Sequence, residues 1–201
     1  MRLNPSAAGL AAALLLGALS PAFAAAPPSS GRLAFDVMRK DADIGDQVFT
    51  FSGKGADFDV SVATDIAVRV PLIRAKVYSY EQQSKEQWRG GQLAHITSKT
   101  DNDGKADQVD EPVHALPPGS LWTAEAVHAS RLVNTIDGSV MNVRVADLGA
   151  EKIAAGGKTI PTQHYRISGD LSRDVWYDAQ GYLARLTLVA EDGSAVTYVR
   201  K

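Results

Sequence analysis

The side chains able to do chemistry are four histidines and 23 carboxylates; the chain of 201 residues has no cysteine. Without a thiol there are no disulfides, zinc-thiolate sites, iron–sulfur ligands, thiol nucleophiles or lipidated cysteines. His95, His114, His128 and His164 show neither His-x-x-x-His nor His-Glu-x-x-His spacing, so a zinc site would have to assemble from remote strands. Asp101-Asn102-Asp103-Gly104-Lys105-Ala106-Asp107 invites a calcium reading. With Gly104 at the sixth position of an EF-hand loop, Lys99 falls on the first and Asp110 on the twelfth, where a bidentate glutamate is wanted. An Asx-rich hairpin turn accounts for the same residues; weak calcium binding by Asp101, Asp103 and Asp107 is the alternative. No Gly-x-Ser-x-Gly elbow occurs. The carboxylate pairs Asp110-Glu111 and Glu191-Asp192 sit beside Pro112 and Gly193 and read as loop residues. Gly53-Lys54-Gly55 and Gly156-Gly157-Lys158-Thr159 lack P-loop spacing. The expectation is therefore no catalytic residue, no resident metal and no cofactor.

The aromatics are more informative. Tyr78, Tyr80, Trp88, Trp122 and Trp176, with Tyr165 and Tyr177, lie in the later two thirds of the chain. Large aromatics ordinarily fill a β core. On a curved sheet whose hollow is only partly plugged, the same residues would line an apolar pocket. Tyr78, Tyr80, Trp88, Trp122 and Trp176 are the candidate ligand-binding residues.

The elements that must position them alternate with period two, the mark of half-buried strands. Phe58, Val60, Val62, Thr64, Ile66, Val68 and Val70 make one row, and Asp57, Asp59, Ser61, Ala63, Asp65, Ala67 and Arg69 the other. At ~3.3 Å per residue such a run spans roughly 46 Å, so it must coil strongly or bend at a bulge, expected at Thr64-Asp65. Pro71 marks an end or an edge. Further strands are expected at Ala75–Tyr80, Glu86–Arg89, Leu93–Thr100, Met141–Val145, Thr159–Ser168, Arg173–Tyr177, Tyr182–Val189 and Ala195–Arg200. Residues 81–85 are ambiguous between a helical turn and a strand end. Gly90-Gly91, Asp103-Gly104 and Gly156-Gly157 punctuate them as hairpin turns. Only Leu121–Leu132, led by Pro117-Pro118-Gly119 and capped by Ser120, reads as a helix.

Residues 1–24 read as a secretory signal peptide. Arg2 precedes an apolar run from Ala7 to Leu19, about 13 residues and short of the ~20 needed to span a bilayer. Pro21 then leads to Ala22-Phe23-Ala24, a small-x-small cleavage motif. Residues 25–31 read as a disordered leader and 32–201 as one β domain. Removing 24 of the 201 residues leaves 177, enough for a core that needs no disulfide. The formal charge of −2 argues against bulk nucleic-acid binding. The expected location is periplasmic, through the general secretory route, with no stable membrane anchor.

Three segments together resemble a known family: Tyr80-Glu81-Gln82-Gln83 through Glu86-Gln87-Trp88-Arg89-Gly90-Gly91-Gln92-Leu93; Thr100-Asp101-Asn102-Asp103-Gly104-Lys105; and Tyr165-Arg166-Ile167-Ser168-Gly169-Asp170-Leu171 into Val175-Trp176-Tyr177-Asp178 and Gly181-Tyr182-Leu183-Ala184-Arg185-Leu186. They resemble the secreted domain of unknown function 6134, and more distantly domain of unknown function 3108. The resemblance implies an exported protein without an established activity. Fold analogy extends it to a mainly β half-barrel similar to the lipoprotein-carrier fold: one curved antiparallel sheet with one or two short helices. The leading expectation is a non-enzymatic binding or carrier module for a lipid or other apolar, amphiphilic ligand. The alternatives are an envelope assembly partner and a cell-envelope hydrolase.

Overall fold

The computed structural model of the chain describes residues 25–69 and 76–201; the expected signal peptide and Pro71 lie outside the described residues. The alternating segments form twelve strands: β1 (Arg32–Arg39), β2 (Ala42–Lys54), β3 (Asp57–Arg69), β4 (Lys76–Arg89), β5 (Gln92–Asn102), β6 (Lys105–Pro112), β7 (Arg131–Val133), β8 (Val140–Ala155), β9 (Lys158–Gly169), β10 (Arg173–Asp178), β11 (Leu183–Val189) and β12 (Ala195–Arg200). They make one antiparallel sheet ordered β6-β5-β4-β3-β2-β1-β12-β11-β10-β9-β8-β7. Sequence neighbours pair throughout, except that β6 and β7 do not pair and β1 pairs with β12. The sheet is mainly hairpins and does not close: β6 and β7 are its edges.

Turn chemistry accounts for the hairpins. Asp103 and Gly104 have φ of 54° and 87° between the paired residues Asn102 and Lys105. Two consecutive positive φ angles match the right-handed twist of the flanking strands. The Asp101 carboxylate accepts the Gly104 N–H at 2.7 Å. The Asx-rich stretch is thus the β5–β6 turn. Among the described residues, no group of three or more His, Asp or Glu side chains is placed to hold a metal ion.

Several boundaries differ from the sequence-based expectation. β4 is continuous through residues 81–85, because Gln82, Ser84 and Glu86 keep the inward row although they are polar. Asp110 and Glu111 belong to β6. The β3 register with β2 and β4 runs unbroken through Thr64-Asp65; the irregularity opposite β4 falls at Val68/Arg69. The expected helix over Leu121–Leu132 is a single 3-10 helix, Ala124–His128, whose N-cap is Thr123. Ser120 does not cap it, because its hydroxyl is bonded to Glu86 instead. The expected leader is also packed: Ala25 is buried, its N–H reaches the Glu125 carboxylate, and Gly31 N–H donates to Pro28 C=O at 2.8 Å.

One apolar face of the curled sheet forms the main core, with Phe35, Phe49, Phe58, Val60, Trp88, Ile96, Val175 and Leu183. The connection from β6 to β7 does not pass around the outside. It runs across the hollow and buries Leu121, Trp122, Ala126 and Val127 in the same cluster, beside Leu132 of β7. This plug satisfies its backbone on the far wall: Ala124 N–H donates to Gly181 C=O at 2.9 Å, and Leu183 N–H to Trp122 C=O at 3.0 Å. On the opposite face the β8–β9 hairpin folds over β10 and β11, where Ile153, Ala155, Trp176 and Ala184 form a separate small cluster.

Candidate functional site

The inner face is built in three belts. At the plugged end Phe58 stacks on Trp88 with centroids 5.5 Å apart. Trp122 meets Trp88 edge-on at 5.4 Å and Phe51 at 4.9 Å. Within this belt Glu86 is wholly buried. Its Oε2 accepts the indole N–H of Trp88 and of Trp122, each at 3.0 Å, and its Oε1 accepts the Ser120 hydroxyl at 2.6 Å. Burial pushes the Glu86 carboxyl above its ordinary range, opposed by those three hydrogen bonds. The carboxyl ties the plug to β4.

The middle belt is polar. Gln82 donates to Ser98 and Thr100 hydroxyls and, at 3.1 Å, to Thr135 C=O. Thr64 accepts from Gln47 at 3.1 Å. The Ser84 hydroxyl is buried without a protein partner.

The third belt lies at the other end. Val37, Ile66 and Val196 are buried there, with Ile44, Tyr80, Leu188 and Tyr198 half-buried around them. Tyr78 stands at the rim, 37% exposed, its hydroxyl donating to Asn102 Oδ1 at 2.9 Å. Unlike the first belt, this cup is not crossed by any connection among the described residues. Arg173 enters it from β10, on the same row as Val175 and Tyr177. The strand order places β10 six strands from β4, so curvature brings Arg173 across the hollow within electrostatic reach of Tyr80 and Tyr198. Burial raises the Tyr80 phenol well above its ordinary value and pushes Tyr198 up to about 12. Both are therefore neutral hydrogen-bonding groups near pH 7. Burial also pulls Arg173 below its ordinary value, yet a guanidinium keeps its charge. Arg173 Nη1 donates to Ser172 C=O at 2.7 Å. Arg39, Arg89, Arg166 and Arg200 are each ion-paired to an aspartate; among the described residues no carboxylate lies in ion-pair range of Arg173.

The five candidate ligand residues are thus divided. Tyr78 and Tyr80 belong to the open cup. Trp88 and Trp122 are core, with every face occupied by protein. Trp176 lies on the opposite face of the sheet, because Asp174 and Trp176 alternate with Arg173, Val175 and Tyr177. Its ring stacks on His164 at 4.0 Å, Arg185 sits over it at 5.7 Å, and its N–H donates to Glu151 at 2.7 Å. The structure does not bring Trp88, Trp122 or Trp176 to the cup. Sequence reading missed Arg173, Tyr198 and Glu86. A signal existed for two of them: a cation in the row Arg173-Val175-Tyr177, and a carboxylate in the row Glu86-Trp88. The histidines form outward-facing pairs, His95 with Asp110 at 2.7 Å and His164 with Asp174 at 3.3 Å. A groove of about 440 Å³ also lies on the outer face of β3–β6. Asp65, Glu81, Gln83, Lys99, Asp101 and Gln108 line it, too polar for an apolar ligand.

Residues 35–201 match the family model of the domain of unknown function DUF6134. The chain belongs to the DUF6134 family. No curated protein matches it. Among solved structures it is similar to a β-barrel-like protein of the domain of unknown function DUF1849 from Brucella abortus. The two share 10% identity at a TM-score of 0.57, covering 85% of this chain and 94% of that one. At that identity the likeness between this DUF6134 chain and the DUF1849 protein concerns the fold alone.

Proposed function

We propose that the protein is an exported, non-enzymatic binding or carrier module for a lipid or other amphiphilic ligand, held in the cup of the inner face lined by Tyr80 and Tyr198. The observation that carries this reading is the asymmetry of the hollow. The segment that fills one end leaves Tyr80, Tyr198, Leu188 and Ile44 only partly buried at the other. An apolar chain laid on these residues gains ~25 cal/mol per Å² removed from water. Export is supported by the Arg2-led apolar run and the Ala22-Phe23-Ala24 motif; a periplasmic site is the corresponding location. The assembly-partner alternative pairs through a free sheet edge or the apolar face. β7 has only three residues, and β6 carries Lys105, Asp107, Asp110, Glu111 and Pro112, which blunt the two edges.

The test is calorimetric titration of the purified protein with dodecanol, a neutral single-chain amphiphile. Saturable binding at one site is expected. Leu188→Asp, which puts a charge in the cup, should abolish it. Trp176→Phe, on the far face, should leave it unchanged. Absence of saturable heat, or equal loss in both variants, refutes the reading.

A further inference from the structure

We infer that the cup selects an amphiphile with an anionic head group, a long-chain carboxylate, whose head pairs with Arg173 while its chain lies against Ile66, Leu188, Tyr80 and Tyr198. This rests on the binding reading above and names the chemistry of its ligand.

The imbalance lies at Arg173. A half-buried guanidinium offers five N–H donors in a planar fork suited to a carboxylate. Here one nitrogen is bonded to the Ser172 carbonyl, and no carboxylate of the described residues comes within ion-pair range. The protein meets its other inward or rim charges differently: Arg200 reaches Asp178 at 2.7 Å, and Glu86 is saturated by three donors. A charge partly removed from water and left without a counter-charge is costly, and an incoming anion offsets that cost. The surroundings agree. The groups acting on Arg173 are the phenols of Tyr198 and Tyr80, neutral hydrogen-bonding groups. The rim carboxylates Asp103 and Glu191 act on Tyr78, whereas the groups acting on Arg173 are the two phenols. The apolar side is continuous with them, since Ile66, Val37 and Val196 form the floor between β4 and β10.

The experiment compares dodecanoate, dodecanol and dodecyltrimethylammonium by calorimetric titration at pH 8 and fixed ionic strength, each below its micellar concentration. Charge-assisted hydrogen bonds predict that dodecanoate binds roughly 10- to 100-fold tighter than dodecanol, with the ammonium weakest. Arg173→Gln should erase the preference for dodecanoate over dodecanol, and Arg173→Lys should keep part of it. Equal binding of dodecanoate and dodecanol by the unaltered protein overturns the head-group assignment while the binding reading stands. A preference that survives in Arg173→Gln overturns it as well. Failure of all three probes to bind overturns both. The wild-type comparison needs no variant, so it decides the matter even where Arg173→Gln does not fold.

Discussion

Replacing Glu86 with glutamine should leave the protein at least as stable as it was at neutral pH, although Glu86 is a wholly buried charged-type residue with three partners. The geometry explains why. Oε2 receives both indole N–H groups and Oε1 faces the Ser120 hydroxyl. A glutamine carbonyl in the Oε2 position keeps both indole bonds. Its amide can donate to the Ser120 oxygen, which rotates from donor to acceptor. Glutamine therefore reproduces the protonated acid, the form that burial favours. The expected change at pH 7 is within about 1 kcal/mol, on the stabilising side. Alanine behaves differently, because it strands all three donors. At about 1–3 kcal/mol for each unsatisfied group, partly relieved by water, Glu86→Ala should cost about 3–6 kcal/mol. That is a large share of the ~5–15 kcal/mol available to a domain.

The pH dependence has a definite sign. The unfolded glutamate ionises near its ordinary value of 4.5, and the folded one above it. Between those two values the unfolded chain releases its proton while the folded chain keeps it, so the Glu86 contribution to stability falls as pH rises. Above the folded value it is constant. Glutamine lacks this decline. Urea unfolding followed by Trp fluorescence, repeated from pH 4 to 8, should show Glu86→Gln gaining on the unaltered protein as pH increases. Trp88 and Trp122 sit on the carboxyl itself and report the transition. A difference that stays flat with pH, or a loss above about 2 kcal/mol in Glu86→Gln at pH 7, would refute the reasoning. The carboxylate would then be ionised in the fold and its charge required.

Two further perturbations test how the plug and the sheet are held. Tyr177→Phe removes the buried bond from the Tyr177 hydroxyl to Leu121 C=O at 3.0 Å; it should lower stability by about 1–2 kcal/mol in the same urea assay, and no measurable change would show that the carbonyl finds another partner. Gly45→Ala places a Cβ 1.9 Å from Asp65 C=O, where β2 and β3 approach too closely for any side chain. It should cost more than about 2 kcal/mol and disrupt the β2–β3 pairing, whereas Gly55→Ala, with open space around its Cβ, should cost less; equal losses in a thermal unfolding comparison would contradict this.

Strand identity was legible because alternation and turn chemistry are local. The Phe58-to-Val68 row and the Asp103-Gly104 turn carry their own structure, whatever surrounds them. The helix over Leu121–Leu132 was misread for the converse reason. Its apolar residues satisfy a helical pattern, but they are apolar because the segment is pressed into the hollow. Its polar groups are satisfied by Gly181, Leu183, Tyr177 and Glu86, all remote in sequence. The site divides along the same line. Tyr78 and Tyr80 could be chosen from sequence as inward aromatics, and Arg173 from its apolar row had a cation in such a row been taken as a signal. That Trp88 is core, Trp176 faces away and Arg173 comes within electrostatic reach of Tyr80 could not. The composition and the period-two rows determine a single antiparallel β domain. Which part of its inner face is filled depends on how far twelve strands curl and on where one eighteen-residue connection, residues 113–130, crosses them. Those are sums of twist and long-range packing, and no local segment of the chain encodes them.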